Sequence, residues 1–507
     1  MFASLYFIII RLIVRKEPFR NALSVLLLFM ACLSGFLVEG ARLKLTNGGY
    51  EISPVGVFFS YLTPNSIIFM KIIVRTHLFI VLAFIAGIPY SVLRHVLLGF
   101  FVNIMRRPGE FRESTLSEVD FNSFTKLSGL QILEIASCVE CGRCENVCPG
   151  FITKKNLSPK RVVKDLMEGV LEKKDKDNLP LITAYNNSDI WACTTCMHCK
   201  EICPLKVNPV DKIMQIRRGT YLLEGIKNKQ LLAVCRNLEE TRDPFGRGIS
   251  NRIFKNLKSQ AWNPELDVVI WPGCFGLHHP RYYYVMELLC LVLERLGKRY
   301  RIIEESGCCG MPAKDAGNDL LFREIAFSNK ELIARNTSYQ LITACPHCQY
   351  AFIRYYKELD IEINAVHVSE FIWRELKSKS LFKYPFPITA SVHDPCYLFR
   401  VLKKGKLGRD VLSKIEGITL REPKRKGLKG LCCGGGGGGM WIKTEGVTVG
   451  HLRAKELAEV NPDIIVTSCP YCKIMLEDSL SFIGSNNPYE VKDFIEVISR
   501  SMGIILE

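Results

Sequence analysis

Two segments of this chain carry one cysteine pattern without change, and no other feature limits its fold as much. Cys138, Cys141, Cys144 and Cys148 with Pro149 spell C-x2-C-x2-C-x3-C-P, and Cys193, Cys196, Cys199 and Cys203 with Pro204 spell it again. Three cysteines spaced by two residues wrap a cubane corner by corner, because a tight turn aims successive thiolates inward. The fourth, next to proline, reaches the neighbouring cluster. The spacing predicts two [4Fe–4S] clusters with crossed ligands: Cys138, Cys141, Cys144 and Cys203 on one, and Cys193, Cys196, Cys199 and Cys148 on the other. Paired C-x2-C motifs also build zinc sites, but two identical four-cysteine runs speak against zinc. The residues between the runs read as largely helical, Lys160 to Lys173 most clearly.

The rest of the chain holds a longer repeat. One copy runs Cys274, Cys308-Cys309-Gly310 and Cys345-Pro346-His347-Cys348; the other runs Cys396, Cys432-Cys433-Gly434 and Cys469-Pro470-Tyr471-Cys472. Corresponding cysteines lie 122 to 124 residues apart. Short buried-strand patterns (Asp267 to Ile270, Ala390 to Val392, Leu341 to Ala344, Ile464 to Thr467) lead into the cysteines and alternate with helical stretches such as Tyr284 to Leu296 and Gly450 to Glu459. That pattern predicts α/β half-domains with cysteines at strand ends. The run Gly434 to Gly439 removes side chains beside a cysteine pair, so backbone amides can approach a bulky anionic cluster.

The chain has 507 residues, enough for three or four domains. Its 21 cysteines are an odd number grouped beside prolines, which fits metal ligation in a reducing cytosol rather than a disulfide framework. The formal charge of +16 is spread thinly, as at Lys154-Lys155, Lys173-Lys174 and Arg421 to Lys429, and no nucleic-acid module accompanies it. Nucleic acid is therefore excluded as a partner, and the charge suits a surface beside anionic lipid.

The first 105 residues differ in kind. Asn21 to Val38 and His77 to Leu93 are uncharged and long enough for a ~30 Å hydrocarbon core; Phe2 to Val14 is a shorter third stretch, interrupted by Arg11. The basic cluster follows that stretch, which does not suit a signal peptide. Arg15, Lys16 and Arg20 on one side and Arg106 and Arg107 on the other place everything after Met105 in the cytoplasm, against the placement of Lys71 and Arg75. His77 and His95 are 18 residues apart; on one continuous helix they would share a face ~27 Å apart, a spacing that suits two haems across a bilayer.

Several resemblances attach to these residues. Gly35 to Arg42, Ser53 to Gly56, His77, Ile88 to Ser91 and His95 resemble the last two helices of the gamma-subunit family of respiratory nitrate reductase. That resemblance implies b haems at His77 and His95. No other histidine precedes His198, so haem b is expected only with a partner chain. The paired cysteine runs resemble the helical ferredoxin module of succinate dehydrogenase and heterodisulfide reductase. The five-cysteine repeats resemble the CCG domains of the D-type subunit of heterodisulfide reductase. In that family each motif holds a noncubane [4Fe–4S] cluster at which a disulfide is cleaved, so the resemblance implies catalytic roles for Cys274, Cys308, Cys309, Cys345 and Cys348, and for Cys396, Cys432, Cys433, Cys469 and Cys472. The combination looks like a fused, N-terminally shortened membrane reductase. Cys32, Cys235 and Cys290 remain as ordinary buried residues.

The expected architecture is multidomain: transmembrane α-helices over residues 1–110, an all-α ferredoxin module over 111–225, and two α/β CCG repeats over 226–385 and 386–507. No dinucleotide fingerprint, Walker loop or nucleophile elbow occurs, so any flavin belongs to a partner. Three functions fit: a multi-pass membrane oxidoreductase coupling quinone or quinol to a thiol–disulfide couple; a relay between a flavoprotein of the electron-transfer-flavoprotein type and quinone; and the iron–sulfur subunit of a glycolate, lactate or glycerol-3-phosphate dehydrogenase. The first is preferred by a narrow margin. Expected partners are membrane lipid, quinone, and a flavoprotein or haem-bearing membrane subunit.

Overall fold

The computed structural model describes residues 19–49, 51–91, 93–105, 127–171, 190–247, 265–334, 339–376, 381–443, 446–484 and 489–504. They fall into two compact units, one of residues 1–110 with 129–139, the other of 111–128 with 140–507. The stretch Phe2 to Val14 and the basic residues Arg15, Lys16, Arg106, Arg107, Lys173 and Lys174 lie outside the described residues.

In the first unit, the helix Phe19–Thr46 packs against Pro54–Leu62 and Ile67–Gly87. Gly40 makes the first crossing close: a Cβ there would lie 2.6 Å from the backbone of Phe59. Leu23–Thr46 and Ile67–Tyr90 are long and apolar enough to cross a membrane, with a mean hydropathy of 2.1 each. Ile67, Ile68, Ile72, Phe79 and Leu82 are exposed among the described residues.

Two expectations fail in this unit. His77 and His95 do not share a continuous helix. The helix of His77 ends at Gly87 and tightens to a 3-10 turn over Ile88–Tyr90; Ser91 is extended, and a new helix runs Arg94–Met105. Pro89 cannot donate to the ladder, and the Ser91 hydroxyl accepts from the Leu93 amide to start the next segment. The five-turn spacing therefore does not apply. Cys32 is exposed, while Cys235 and Cys290 are buried as expected; an apolar helix of this kind turns part of its circumference outward, and Cys32 stands on that part.

The second unit opens with helices. Pro159–Leu171, Pro209–Glu224 and Lys229–Thr241 frame the cysteine runs; the second is largely buried and carries Asp211, Lys212, Gln215 and Arg217 inside the unit. The Asn208 side chain accepts from the Asp211 amide and that of Asn228 from two amides at the start of the next helix, satisfying donors that a helix start leaves open.

Two parallel four-stranded sheets follow. β1 (Val268–Ile270), β2 (Tyr300–Ile302), β3 (Gln340–Thr343) and β4 (Ala365–His367) are ordered 2-1-3-4. β5 (Ile388–His393), β6 (Ile418–Leu420), β7 (Ile464–Thr467) and β8 (Glu490–Asp493) are ordered 6-5-7-8, the same topology. The central strands β1, β3 and β7 are mostly apolar because helices cover both faces of such sheets, while β5 alternates with Thr389, Ser391 and His393. In the second, Ile465 and Val491 pack on Ala454, Leu457, Leu476 and Leu480 of flanking helices. The strand order reverses between β1 and β3, and again between β5 and β7. Those switch points open crevices beyond the carboxyl ends of the strands, where open sheets place their ligands.

Candidate metal centres

The cysteine runs are built on a shared backbone device. In the first, Glu140 (φ 54°) and Gly142 (φ 77°) are left-handed; in the second, so are Thr195 (φ 49°) and Met197 (φ 58°), at the same two places relative to the cysteines. A non-glycine residue there costs ~1–2 kcal/mol. The twice-used conformation curls each loop around a point, as wrapping a cubane requires. Cys148, Cys193 and Cys196 act electrostatically on one another, and Cys199 on all three, and all four are buried. Burial pushes the Cys148 thiol up to about 12 and the Cys193 thiol to about 11. Bare thiols there keep their protons at neutral pH, and a bound cation would draw out the thiolates. The four residues thus fit a [4Fe–4S] cluster, for which they would supply four thiolates. Cys144 and Cys203 are half-buried and Cys141 is exposed. Cys138 belongs to the first unit.

In each sheet, the residues after the switch-point strands are the cysteines. Cys274 follows β1 and Cys345 follows β3; Cys396 follows β5 and Cys469 follows β7. All ten cysteines of the two repeats are at most 5% exposed. In the first repeat the thiols touch in sequence, Cys274 to Cys308, Cys309, Cys348 and Cys345. In the second the chain is Cys396, Cys432, Cys433, Cys472 and Cys469. The five residues expected in each motif are therefore brought together. Five buried sulfurs in one crevice fit a bulky iron–sulfur cluster and exceed what one metal ion needs. The amide of Gly434 reaches the Cys432 sulfur at 3.3 Å, as the glycine run predicts.

That run also has a second use. A Cβ on Gly436 would lie 2.6 Å from the carbonyl oxygen of Thr194, so the glycines let the second repeat lie directly on the Cys193 loop. The Cys196 and Cys432 thiols are within hydrogen-bond reach of each other. Arg217, fully buried, ties the same region: Nη1 donates to the carbonyls of Asp315 (3.0 Å) and Gly437 (2.8 Å), and Nη2 to those of Ile190 (2.8 Å) and Cys193 (2.9 Å). Arg400 donates from Nε to the carbonyl of Cys196 (2.6 Å) and from Nη1 to that of Gly430 (2.8 Å).

The two repeats meet at His347. Its Nδ1 lies 4.0 Å from the Cys345 sulfur, and it also contacts Cys469 of the other repeat. Burial opposes its charge, yet these two thiols raise its pKa well above the usual range. Tyr397 and Tyr471 enclose the ring at 4.0 and 4.5 Å between centroids. The sequence reading did not assign His347, Arg217 or Arg400. His347 stands inside C-P-H-C, where its place was visible; the arginines act on carbonyls remote in sequence and left no local mark. In the first unit, His77 Nδ1 is 2.9 Å from the Ser34 hydroxyl, and His95 lies on the next helix.

A cleft of about 440 Å³ opens beside the second repeat, lined by Lys155, Trp191, Thr194, Gly434, Met440 and His451.

Comparisons with known proteins agree with this architecture. Residues 268–353 and 390–477 match the cysteine-rich domain model CCG, and residues 134–207 match a 4Fe-4S dicluster domain. The probable iron-sulfur-binding oxidoreductase FadF of Bacillus subtilis is 27% identical, over 84% of this chain and 69% of its own length. The EtfAB:quinone oxidoreductase of Syntrophomonas wolfei is 25% identical over 94% of this chain and 76% of its own. The D-type subunit of the dihydromethanophenazine:CoB–CoM heterodisulfide reductase of Methanosarcina barkeri is 28% identical over 75% of this chain and 96% of its own. With its dicluster domain and paired CCG domains, the chain is homologous to iron–sulfur oxidoreductases, FadF and the D-type subunit of heterodisulfide reductase among them.

Proposed function

We propose that the chain is a membrane-bound electron-transfer oxidoreductase that passes electrons between a flavoprotein of the electron-transfer-flavoprotein class and the quinone pool. The observation that carries this is continuity. Contacts run from the Cys193–Cys199 loop through Cys196 to Cys432, along the second repeat to Cys469, and through His347 to Cys345 of the first. In this reading two [4Fe–4S] clusters, on the crossed ligand sets, and two further clusters on the five-cysteine sites form one relay, buried from the Cys193–Cys199 loop onward. The two apolar helices hold it at the bilayer, with the soluble part in the cytoplasm. The match to the EtfAB:quinone oxidoreductase supports this: 94% of the chain cannot be covered without the N-terminal helices, whereas the match to the heterodisulfide reductase spans 75%. Haem b at His77 and His95 enters only with a partner chain that supplies further ligands.

A second reading, thiol–disulfide chemistry at the CCG sites, is favoured by the two complete five-thiol sets meeting at His347, since a disulfide yields two sulfurs. The cleft beside Gly434 gives a small molecule access from that side. One experiment separates the two. The cluster-loaded protein in detergent is mixed with a reduced electron-transfer flavoprotein and a short-chain menaquinone, or with a small thiol, and followed by electron paramagnetic resonance. Flavoprotein-dependent reduction of the clusters, with reoxidation by quinone and no change on adding thiol, supports the relay. A paramagnetic signal that appears only with thiol supports the disulfide reading.

A further inference from the structure

The two repeats differ at the residue three positions before the first cysteine of each. In the first it is Trp271, directly after β1; in the second it is His393, the last residue of β5. Both side chains are buried, at 0% and 1% exposure, and neither the Trp271 Nε1 nor the His393 Nε2 has a hydrogen-bond partner among the described residues. A buried N–H left without an acceptor costs ~1–3 kcal/mol. The pair would be an expensive coincidence unless something held in the sites themselves accepts.

Sulfur is close in both cases. A ring nitrogen of His393 and the Sγ atoms of Cys433 and Cys472 all lie within 4.8 Å of one another. A Cβ on Gly273 would lie 3.2 Å from the Cys348 sulfur and 3.6 Å from Trp271 Nε1, so indole and thiol flank one point. Cys348 and Cys472 are equivalent cysteines of the repeat. The two N–H groups therefore approach the same corner of their respective sites.

His393 has two available roles, ligand or donor, and its tautomer decides between them. The Arg453 Nε–H, on a guanidinium that is never deprotonated in proteins, donates to His393 Nδ1 at 3.1 Å. Nδ1 is thus an acceptor and carries no proton. A neutral ring then bears its hydrogen on Nε2, the nitrogen left for the sulfurs, and a nitrogen bearing hydrogen cannot bind iron. Arg453 is itself fixed at 2.9 Å by Glu456, so the arrangement has little freedom to reverse. Trp271 Nε1 is a donor in any state and is held against Phe352 at 5.0 Å, edge to face.

We propose that Trp271 and His393 are matched N–H donors to the sulfurs of the two CCG sites, positioning residues rather than ligands, each stabilising the reduced form of its own cluster. Hydrogen bonds to cluster sulfur raise the reduction potential, so loss of either donor lowers one potential and leaves the other. The proposal rests on the reading that both CCG sites hold iron–sulfur clusters.

The test uses the full cluster-loaded chain and the variants Trp271→Phe, His393→Leu and His393→Asn, which keeps an N–H. Iron and sulfide content and each cluster's potential are read by redox titration with electron paramagnetic resonance. The expected result is full iron content in all three, a lower potential at the first site alone in W271F and at the second alone in H393L, and partial recovery in H393N. Iron loss in H393L matching that in C472S makes His393 a ligand and overturns the proposal, as do unmoved potentials. Electron–nuclear double resonance on the unmodified chain gives an answer independent of folding. An exchangeable proton coupled to each CCG cluster is expected, and a nitrogen coupling of the size given by directly bound imidazole overturns the proposal. A wild-type chain without iron at these sites defeats the cluster reading itself, whereas iron with unmoved potentials defeats only the donors.

Discussion

The first and second CCG repeats share a strand order, a set of five thiols and the strand ends that carry them, yet apart from His347, which touches both, the charged groups beside those thiols differ in sign. Near the first site stands Asp243, which acts electrostatically on Cys274. Near the second stands Arg400, which acts on Cys396 and Cys432, with Arg453 one hydrogen bond further out. A repeated scaffold fixes where sulfur sits; the residues behind it decide how readily the site takes an electron. An added electron is more stable beside a guanidinium than beside a carboxylate, so the second site is expected to be the more easily reduced of the two. It is also the one that touches the dicluster module through Cys196.

The severest way to break this comparison is to remove a thiol from one repeat only. Cys309→Ser and Cys433→Ser are each expected to lose the cluster of their own repeat and spare the other. Electron throughput should fall by more than the ~10–100-fold that loss of a supporting group costs. Iron analysis with Mössbauer spectroscopy checks this, and loss of both clusters from either variant would show that the sites do not stand apart.

A gentler change sharpens the charge argument. Arg400→Gln removes a charge whose hydrogen bonds are worth roughly 1.5–3 kcal/mol each. It should narrow the gap in potential between the repeats, with the second site moving down. A gap that stays the same would mean that Arg400 only holds backbone, through its bonds to Cys196 and Gly430.

His347→Phe tests the seam between the repeats. Both clusters should remain, since ten cysteines are untouched, while electron exchange between the two sites slows, as measured by freeze-quench after rapid reduction. Unchanged exchange would remove the histidine from the path.

The smallest effect lies at another link across the seam. The Tyr282 hydroxyl of the first repeat donates to Asp493 Oδ2 of the second at 2.8 Å, and burial raises the Asp493 pKa to about 7. A raised carboxyl pKa means that the folded state holds a proton the unfolded chain releases above ~4. Its contribution to stability is therefore present below the unfolded value and is lost as pH rises to about 7. Asp493→Asn should flatten that slope, comparing better with the parent at pH ~8 than at pH ~5 in denaturant melts. An equal difference at both pH values would place the carboxylate's cost elsewhere.

Much of this was legible in the cysteine spacing. C-x2-C-x2-C demands a tight curl, and left-handed residues occur at equivalent positions of both runs. Short apolar runs before Cys274, Cys345, Cys396 and Cys469 read as strands and are strands, because central parallel strands need apolar side chains on both faces. The glycine run was understood only in part: its amide does meet Cys432, but its close packing on the Thr194 backbone joins residues more than two hundred positions apart, and local pattern carries no sign of that. The same holds for Arg217, whose four acceptors come from three separate segments. The single-helix reading of His77 and His95 gave spacing more weight than Pro89, although that proline was in plain view.

The burial of the ten CCG thiols bears on how the protein is made. At no more than 5% exposure, and with the glycine run lying on the Cys193 loop, those sulfurs are covered by the described residues in the finished fold, and a cluster is a bulkier guest than the small molecule admitted by the cleft beside Gly434. Loading of iron and sulfide before the repeats close on one another is therefore the expected order of maturation: load, then close. A chain that closes empty is expected to need its seam opened again before it takes up a cluster.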